Sequence, residues 1–264
     1  MKKYLVIGNP INHSLSPEIH NYWLKKNNID AVYEKKKINH ENIKNIIEDI
    51  RNAKINGINV TVPFKKHVIP FLDDLSEEAS ITQSVNTILL ENDKIIGYNT
   101  DIVGFQLSLK RTKYDLKNKK VFILGSGGVV PSILFSLEKS GVSEIILSNR
   151  TKEKADGLKK TFPNLNIVEW GIVPEFDIII NATSLGLNKG DKINLKFSNI
   201  NQDKFFYDVI YNPKETNFLK TGKNFGAQVL NGKMMFIYQA SEAFKLWHKI
   251  NPEINQEILK LLDK

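Results

Sequence analysis

The sequence predicts an α/β protein with two units, an N-terminal open α/β sandwich and a C-terminal doubly wound parallel sheet. Short apolar runs alternate with helical segments over the first hundred residues, and a second alternation opens near residue 102. In that second part, residues 121–124 form a continuous apolar run, which is typical of a buried parallel strand. A length of 264 residues suits two ordinary domains. We expect residues 1–101 with 233–264 to form one domain and residues 102–232 the other.

The elements of the N-terminal unit follow from the spacing of its apolar residues. Ser16 is a candidate N-cap for a helix whose first residue is Pro17. Asn92-Asp93 joins two short strands in a hairpin. The predicted strands and helices comprise residues 4–7, 17–26, 31–33, 41–50, 58–62, 88–90 and 94–98.

The C-terminal unit repeats strand and helix, with a glycine loop after its first strand. Gly141 ends the first helix, and a further helix follows Thr151. The helix that carries Gln239 is expected to pack on the first unit. The remaining predicted elements are residues 121–124, 130–139, 144–147, 177–180, 205–209, 227–230, 234–248 and 252–262.

Composition excludes several classes of function. A hydrophobic content of 41% and a charged content of 25% are those of a globular protein. The chain has no cysteine, which excludes disulfides and a thiol nucleophile, and its five histidines are dispersed, so no metal site is expected. We find no membrane-length apolar run and no export signal, so the cytoplasm is the expected location.

The net charge of +8 has two interpretations, a polyanion-binding surface or a solvated surface rich in lysine. The lysines are dispersed and form no basic run of five or more residues, which favours the solvated surface. We therefore expect no nucleic-acid or membrane partner. The sequence leaves a homodimer open.

A glycine loop indicates a dinucleotide site. Gly125-Ser126-Gly127-Gly128 lies between a predicted strand and a predicted helix, where backbone N–H groups can bind a pyrophosphate. Val130 occupies the position of the usual third glycine. The alternative is a structural turn.

The end of the next predicted strand favours NADP over NAD. NAD-binding folds place an acidic residue there, whereas this chain has Ser148-Asn149-Arg150-Thr151. Arg150 and Lys154 can bind a 2′-phosphate by charge-assisted hydrogen bonds, whereas a carboxylate at this place would repel the phosphate. The alternative is an arginine exposed at the start of a helix.

In the first unit, Lys65 follows the predicted strand 58–62, just beyond Pro63. Ligands of open α/β sheets bind at the carboxyl ends of strands. Two Asn-Thr pairs, at 86–87 and 99–100, also occur at the ends of segments, although turn chemistry explains many such pairs.

Eight motifs occur in an order and spacing typical of one family. They are Ser14-Leu15-Ser16-Pro17, Asn59 to Lys65, Ser84 to Thr87, Asn99-Thr100-Asp101 with Gly104, Asn149-Arg150-Thr151, Asn181-Ala182-Thr183, Asp208 to Pro213 and Gln239. Together they resemble the shikimate dehydrogenase family, from about Ile7 to Trp247. An ordered set of motifs is more specific than any one of them.

The resemblance implies an NADP-dependent enzyme that reversibly reduces 3-dehydroshikimate to shikimate in aromatic amino acid (chorismate) biosynthesis. It implies Lys65 and Asp101 as the catalytic acid–base pair. The substrate-binding residues that it implies are Ser14, Ser16 and Tyr211 for the carboxylate, and Asn59, Thr61, Asn86 and Gln239 for the ring hydroxyls. The cofactor-binding residues that it implies are Gly125, Ser126, Gly127, Gly128, Val129, Asn149, Arg150, Thr151, Lys154, Thr183, Val209, Gly232 and Met235.

Two departures from the family pattern bear on the cofactor site. Val129-Val130-Pro131 replaces the usual small residues after the loop, although proline is tolerated in a first helical turn. Lys154 stands where arginine is common, so a point charge replaces a planar fork. Three alternatives stay open: Lys65 as base or as electrostatic anchor, a quinate/shikimate dehydrogenase with broader substrate and cofactor use, and a nucleotide-binding sensor without activity.

Overall fold

The computed structural model describes residues 1–188, 190–198 and 200–263. The chain divides into two compact units. The first contains Met1–Gly104 and the chain from Ile237 onward, and the second contains Phe105–Phe236. The sequence placed the corresponding boundaries at 101/102 and 232/233. Both junctions fall inside helices, Thr100–Lys110 and Lys233–His248, so each helix contributes residues to both units.

The elements alternate through both units. In chain order the first are β1 (Lys2–Gly8), α1 (Ser16–Lys26), β2 (Ala31–Lys37), α2 (Ile43–Arg51), β3 (Gly57–Val60), β4 (Asp74–Leu75), α3 (Glu77–Thr82), β5 (Thr87–Glu91), β6 (Lys94–Tyr98) and α4 (Thr100–Lys110). The others are β7 (Lys120–Leu124), α5 (Val130–Lys139), β8 (Glu144–Ser148), α6 (Lys152–Leu158), β9 (Asn166–Val168), β10 (Ile178–Asn181), β11 (Phe205–Asp208), α7 (Asn217–Asn224), β12 (Gln228–Leu230), α8 (Lys233–His248) and α9 (Gln256–Leu261). Short 3₁₀ turns lie at His40–Asn42 and Ile69–Phe71.

The sheet of the first unit has the strand order β2-β1-β3-β5-β6-β4 within the described residues. β1 pairs in parallel with β2 and β3, whereas β5 runs antiparallel between β3 and β6. One face of this sheet packs on α2 through isoleucines at helical spacing. The buried residues are Leu5, Ile7, Ile58 and Val60 on the sheet, and Ile43, Ile46, Ile47 and Ile50 on α2. Burying one such side chain stabilises the fold by roughly 1.5–3 kcal/mol.

The second unit is a doubly wound parallel sheet, as the sequence predicts. Its described strands have the order β9-β8-β7-β10-β11-β12, which is the Rossmann order 3-2-1-4-5-6. Successive residues of β7 face opposite cores: Val121 packs with α4 and α5, and Phe122 packs with α7. The continuous apolar run in the sequence therefore reflects a strand that is buried on both faces.

Several predicted boundaries were wrong, each for a local reason. α1 begins at Ser16 itself, with Leu15 at the N-cap and no side-chain cap. β3 ends at Val60 rather than at residue 62, because the chain turns where the Phe64 N–H donates to the Thr61 carbonyl oxygen at 2.9 Å. α9 begins at Gln256 rather than at residue 252, because the Asn255 side chain caps it.

The described part of the chain has neither a membrane-spanning helix nor a cluster of metal-ligating side chains. None of its helices is long and apolar enough to cross a bilayer. It contains no group of three or more His, Cys, Asp and Glu side chains arranged to hold a metal ion.

Candidate active site

One edge of the first unit's sheet collects polar residues. β1, β3 and β6 end at this edge, and the antiparallel β5 begins there. The strand ends and the connections next to them contain Ser14, Ser16, Asn59, Thr61, Lys65, Asn86, Asn99 and Asp101. Ligands of open α/β sheets bind outside strand ends of this kind, so this edge is the candidate substrate site.

Lys65 and Asp101 form a buried ion pair at this edge. Their side chains are 11% and 9% exposed, and the Lys65 ammonium donates to Asp101 Oδ2. Asp101 Oδ1 accepts a second hydrogen bond from Asn86 Nδ2 at 3.0 Å. A buried ion pair adds little net stability because desolvation offsets the attraction between the charges. A pair in this position therefore indicates chemistry rather than structural support.

Asn86 connects the ion pair to two other elements. Its Oδ1 accepts from the Thr100 N–H at 2.8 Å, which fixes the start of α4 next to Asp101. Its Nδ2 lies 3.5 Å from Gln239 Oε1 on α8. The structure thus brings Asn86, Asp101 and Gln239 together, although Gln239 is 153 positions away in sequence.

Asn59 is buried, and both the nitrogen and the oxygen of its side-chain amide form hydrogen bonds. Its Nδ2 donates to the Asn86 carbonyl oxygen at 3.1 Å and to Thr87 Oγ1 at 3.0 Å. Its Oδ1 accepts from the Tyr33 hydroxyl at 2.6 Å. The orientation of the amide is therefore fixed by its neighbours.

The serines after β1 lie close together. The Ser14 hydroxyl donates to Ser16 Oγ at 3.2 Å, and the Ser16 N–H donates to Ser14 Oγ at 3.3 Å. Thr61 is partly exposed, and its N–H donates to the Ile7 carbonyl oxygen at 2.9 Å. The two hydroxyls at the start of α1 form a compact pair suited to an anionic group.

In the second unit, the glycine loop lies at the switch point between β7 and β10. Gly125 has a φ of +103°, and a Cβ at this residue would lie 2.9 Å from the Ala182 carbonyl oxygen. Only glycine suits this conformation and this close approach. Val130 begins α5 and is fully buried in the core, with Pro131 in the first turn. The departure from the family pattern therefore leaves the loop-to-helix turn in place.

Arg150 and Lys154 are exposed cations at the end of β8. The Asn149 side chain fixes the turn between them by donating to the Thr151 carbonyl oxygen at 2.7 Å. Within the part of the chain that the structure describes, no carboxylate lies within salt-bridge distance of either cation. Both charges are thus available to an anion.

A buried network joins the ends of β10 and β11. Asp208 accepts from Asn181 Nδ2 at 3.1 Å and from the Thr216 hydroxyl at 2.6 Å. Asn181 Oδ1 in turn accepts from the Thr183 hydroxyl at 2.7 Å. Burial raises the pKa of Asp208 to about 6, although the bond from Thr216 lowers it. The network fixes the turn that carries Thr183.

The remaining candidates of the second unit have different surroundings. Gly232 packs against the Val209 carbonyl, where a Cβ would not fit. Met235 is 5% exposed and belongs to the apolar core of this unit. Tyr211 stacks on Phe236, with ring centroids 4.4 Å apart.

Sequence reasoning assigned no role to several residues that the structure places in these networks. Thr87, Thr100, Asn181 and Asp208 stand inside the quoted motifs, so the motifs contained a signal for them. Tyr33 carried no signal, because it looks like an ordinary apolar residue of a short strand.

Comparison with known proteins then identifies the family. Residues 6–88 match the model of the shikimate dehydrogenase substrate binding domain, and residues 106–215 match the shikimate / quinate 5-dehydrogenase model. The chain is 60% identical over 262 residues to the shikimate dehydrogenase (NADP(+)) of Pelagibacter ubique (strain HTCC1062), with 99% of each chain covered.

Solved structures agree with this match. The shikimate dehydrogenase of Aquifex aeolicus has a TM-score of 0.88 at 38% identity and covers 99% of this chain and 97% of its own. The shikimate 5-dehydrogenase of Thermus thermophilus, solved with NADP(H) and shikimate, has a TM-score of 0.87 at 30% identity. It covers 100% of this chain and 98% of its own. The chain therefore belongs to the shikimate dehydrogenase family.

Proposed function

We propose that the chain catalyses the NADP-dependent, reversible reduction of 3-dehydroshikimate to shikimate, a step of aromatic amino acid (chorismate) biosynthesis. The observation that carries the proposal is the buried Lys65–Asp101 pair, bonded through Asn86 to Gln239 at the sheet edge. Two relatives that align with nearly the whole chain are named shikimate dehydrogenase (NADP(+)), which supports the proposal.

The proposed chemistry is proton transfer at one oxygen. Reduction of a ketone adds a hydride to the carbonyl carbon and a proton to its oxygen, and the hydride is what NADPH would supply when bound. The Lys65 ammonium donates the proton, and Asp101 holds that ammonium in place. In the oxidative direction the neutral Lys65 amine accepts the proton from the alcohol, so the pair serves as acid and as base.

An electrostatic anchor is the other role proposed for Lys65. Lys65→Arg separates the two roles, because a guanidinium keeps the positive charge but does not deprotonate in proteins. Acid–base catalysis predicts that kcat of the arginine variant falls at least ~10²-fold. Retention of kcat within about tenfold would favour the anchor.

Substrate recognition is proposed for two groups of residues. Ser14 and Ser16, with Tyr211, bind the carboxylate, and the paired hydroxyls after β1 support this assignment. The residues assigned to the ring hydroxyls are Asn59, Thr61, Asn86 and Gln239. Hydrogen bonds between Asn59 and Asn86, and between Asn86 and Gln239, support their common role.

The second unit fits a phosphorylated dinucleotide. Gly125 has a φ of +103° and passes so close to Ala182 that only glycine fits the turn of the loop. Arg150 and Lys154 offer positive charge that no carboxylate of the described residues pairs. The residues that would hold the pyrophosphate are Gly125, Ser126, Gly127, Gly128 and Val129. Those that would hold the 2′-phosphate are Asn149, Arg150, Thr151 and Lys154, and the rest of the cofactor would meet Thr183, Val209, Gly232 and Met235.

The test is the absorbance of the reduced nicotinamide after shikimate and NADP⁺ are mixed with the protein. We expect absorbance to grow with enzyme concentration, and no signal would overturn the proposed function. Parallel assays with quinate and with NAD⁺ measure kcat/KM for each pair and separate a shikimate enzyme from a quinate/shikimate enzyme. Location in the cytoplasm and the absence of nucleic-acid or membrane partners stay predictions, and a homodimer stays open.

A further inference from the structure

A buried tyrosine contacts one of the residues proposed to bind substrate. Tyr33 on β2 is 2% exposed, and its hydroxyl donates to Asn59 Oδ1 at 2.6 Å. Burial raises the pKa of Tyr33 well above its usual value. The phenol therefore acts as a neutral hydrogen-bond donor to Asn59.

The position of this hydroxyl is fixed from two directions. The Asn21 side chain on α1 forms two hydrogen bonds with the backbone of Tyr33. Its Nδ2 donates to the carbonyl oxygen at 2.8 Å, and its Oδ1 accepts from the N–H at 2.9 Å. The His20 ring stacks on the Tyr33 ring, with centroids 4.2 Å apart and planes at 2°. Tyr33 thus ties α1, which begins at Ser16, to β3, which carries Asn59.

The hydrogen bonds of Asn59 limit what it can offer a ligand. Both amide hydrogens are donated, one to the Asn86 carbonyl oxygen and one to Thr87 Oγ1. An amide oxygen has two lone pairs, and Tyr33 occupies one of them. One acceptor site remains, so a ligand group that faces Asn59 must donate a hydrogen bond.

We propose that Tyr33 is a positioning residue whose hydroxyl orients the Asn59 amide for substrate binding. Asn59 then selects a ring position that bears a hydroxyl rather than a carbonyl. This inference rests on the proposed function, in which Asn59 contacts shikimate.

Steady-state kinetics of Tyr33→Phe tests the inference. The variant keeps the ring and loses only the hydroxyl, so we expect KM for shikimate to rise about tenfold, the scale of one buried hydrogen bond. We expect kcat to stay within about twofold, because the lost interaction stabilises the ground state and the transition state equally, and KM for NADP⁺ to be unchanged. Tyr207→Phe is the matched control, since its phenol is also buried and lies 3.0 Å from the Ser108 hydroxyl. It should lower the melting temperature without changing KM for shikimate.

A double-mutant cycle shows whether Tyr33 acts through Asn59. In the Asn59→Ala background, Tyr33→Phe should change KM for shikimate by less than about twofold, because the shared interaction is already gone. Independent, additive effects would overturn the inference, as would an unchanged KM in Tyr33→Phe. A wild-type protein that does not oxidise shikimate would overturn the proposed function and this inference with it.

If Tyr33→Phe does not fold, NMR of the wild-type protein with tyrosine labelled at Cζ provides a second measurement. The Tyr33 Cζ resonance should shift in Asn59→Ala, because its hydroxyl loses its acceptor. An unchanged resonance would overturn the inference.

Discussion

Replacing Asp208 by Asn tests how the buried network at the end of β11 depends on pH. Asp208 has no exposed surface, and burial raises its pKa to about 6 from an ordinary value of 3.8. Hydrogen bonds from Thr216, Ile210 and Asn181 oppose this rise without cancelling it. The folded protein therefore binds this proton more tightly than the unfolded chain does.

The sign and size of the effect follow from these two pKa values. The stabilisation that the bound proton gives is fully present below pH 3.8 and is lost as the pH rises through about 6. The difference between the two pKa values corresponds to a loss of roughly 3 kcal/mol in the free energy of unfolding. Roughly half of this loss occurs between about pH 5 and about pH 8. The amide of Asp208→Asn does not titrate, so the variant lacks this dependence.

Urea unfolding between about pH 5 and about pH 8 measures the effect, with free energies of unfolding obtained by linear extrapolation. We expect the free energy of unfolding of the wild type to fall by roughly 1–2 kcal/mol relative to that of Asp208→Asn as the pH rises over this range. Asp203→Asn is the control for the same substitution at an exposed site, because the side chain of Asp203 is exposed. A difference between wild type and Asp208→Asn that stays constant over this pH range would refute the argument from burial.

Three further predictions concern the active site and the cofactor loop. Lys65→Ala should lower kcat at least ~10²-fold, because the group that exchanges the proton is lost, whereas KM for NADP⁺ should not change. Arg150→Ala should raise KM for NADP⁺ by about 10- to 100-fold and leave KM for NAD⁺ unchanged, since only NADP⁺ carries the 2′-phosphate. Gly125→Ala should lower both the melting temperature and NADP⁺ affinity, because the added Cβ meets the Ala182 carbonyl oxygen at 2.9 Å. Steady-state kinetics measures the first two, and thermal unfolding with titration of NADP⁺ measures the third.

Each of these three predictions has an outcome that would contradict it. Wild-type kcat in Lys65→Ala would remove Lys65 from the mechanism. Equal losses with NADP⁺ and NAD⁺ in Arg150→Ala would mean that Arg150 does not recognise the 2′-phosphate. Gly141→Ala is the control for Gly125→Ala, because Gly141 also has a positive φ but has no atom within 4 Å of an added Cβ. If both alanine variants keep the affinity for NADP⁺, the close approach at Gly125 does not serve the cofactor.

The second unit was the more predictable part of the fold. Its strands are buried on both faces, so continuous runs such as residues 121–124 stand out, and Gly125 follows directly. Boundaries were less predictable, because single side chains decide them. Asn255 caps α9 and delays its start, whereas Ser16, a good cap by residue type, lies inside α1.

The candidate site likewise contains residues that the sequence predicted and residues that it did not. The motifs predicted Lys65, Asp101 and Asn86 as site residues, because polar residues that follow an apolar run can be recognised from the sequence alone. They gave no sign of Tyr33, because a buried tyrosine in a strand looks like core until its hydroxyl is seen to bond Asn59. Gln239 had no local signal either, and only its resemblance to the family pattern marked it before α8 placed it against Asn86.

The sequence by itself determined the α/β class, the glycine loop and the absence of an acidic residue beside Arg150, because these are local properties of residue type and spacing. Only the tertiary structure decided which polar groups share hydrogen bonds. Lys65 meets Asp101 because β3 and β6, which are distant in sequence, lie in one sheet and end at the same edge. Asn59 on β3 meets Tyr33 on β2 across β1, which lies between these two strands. The pKa of Asp208 likewise depends on burial, which the whole fold sets.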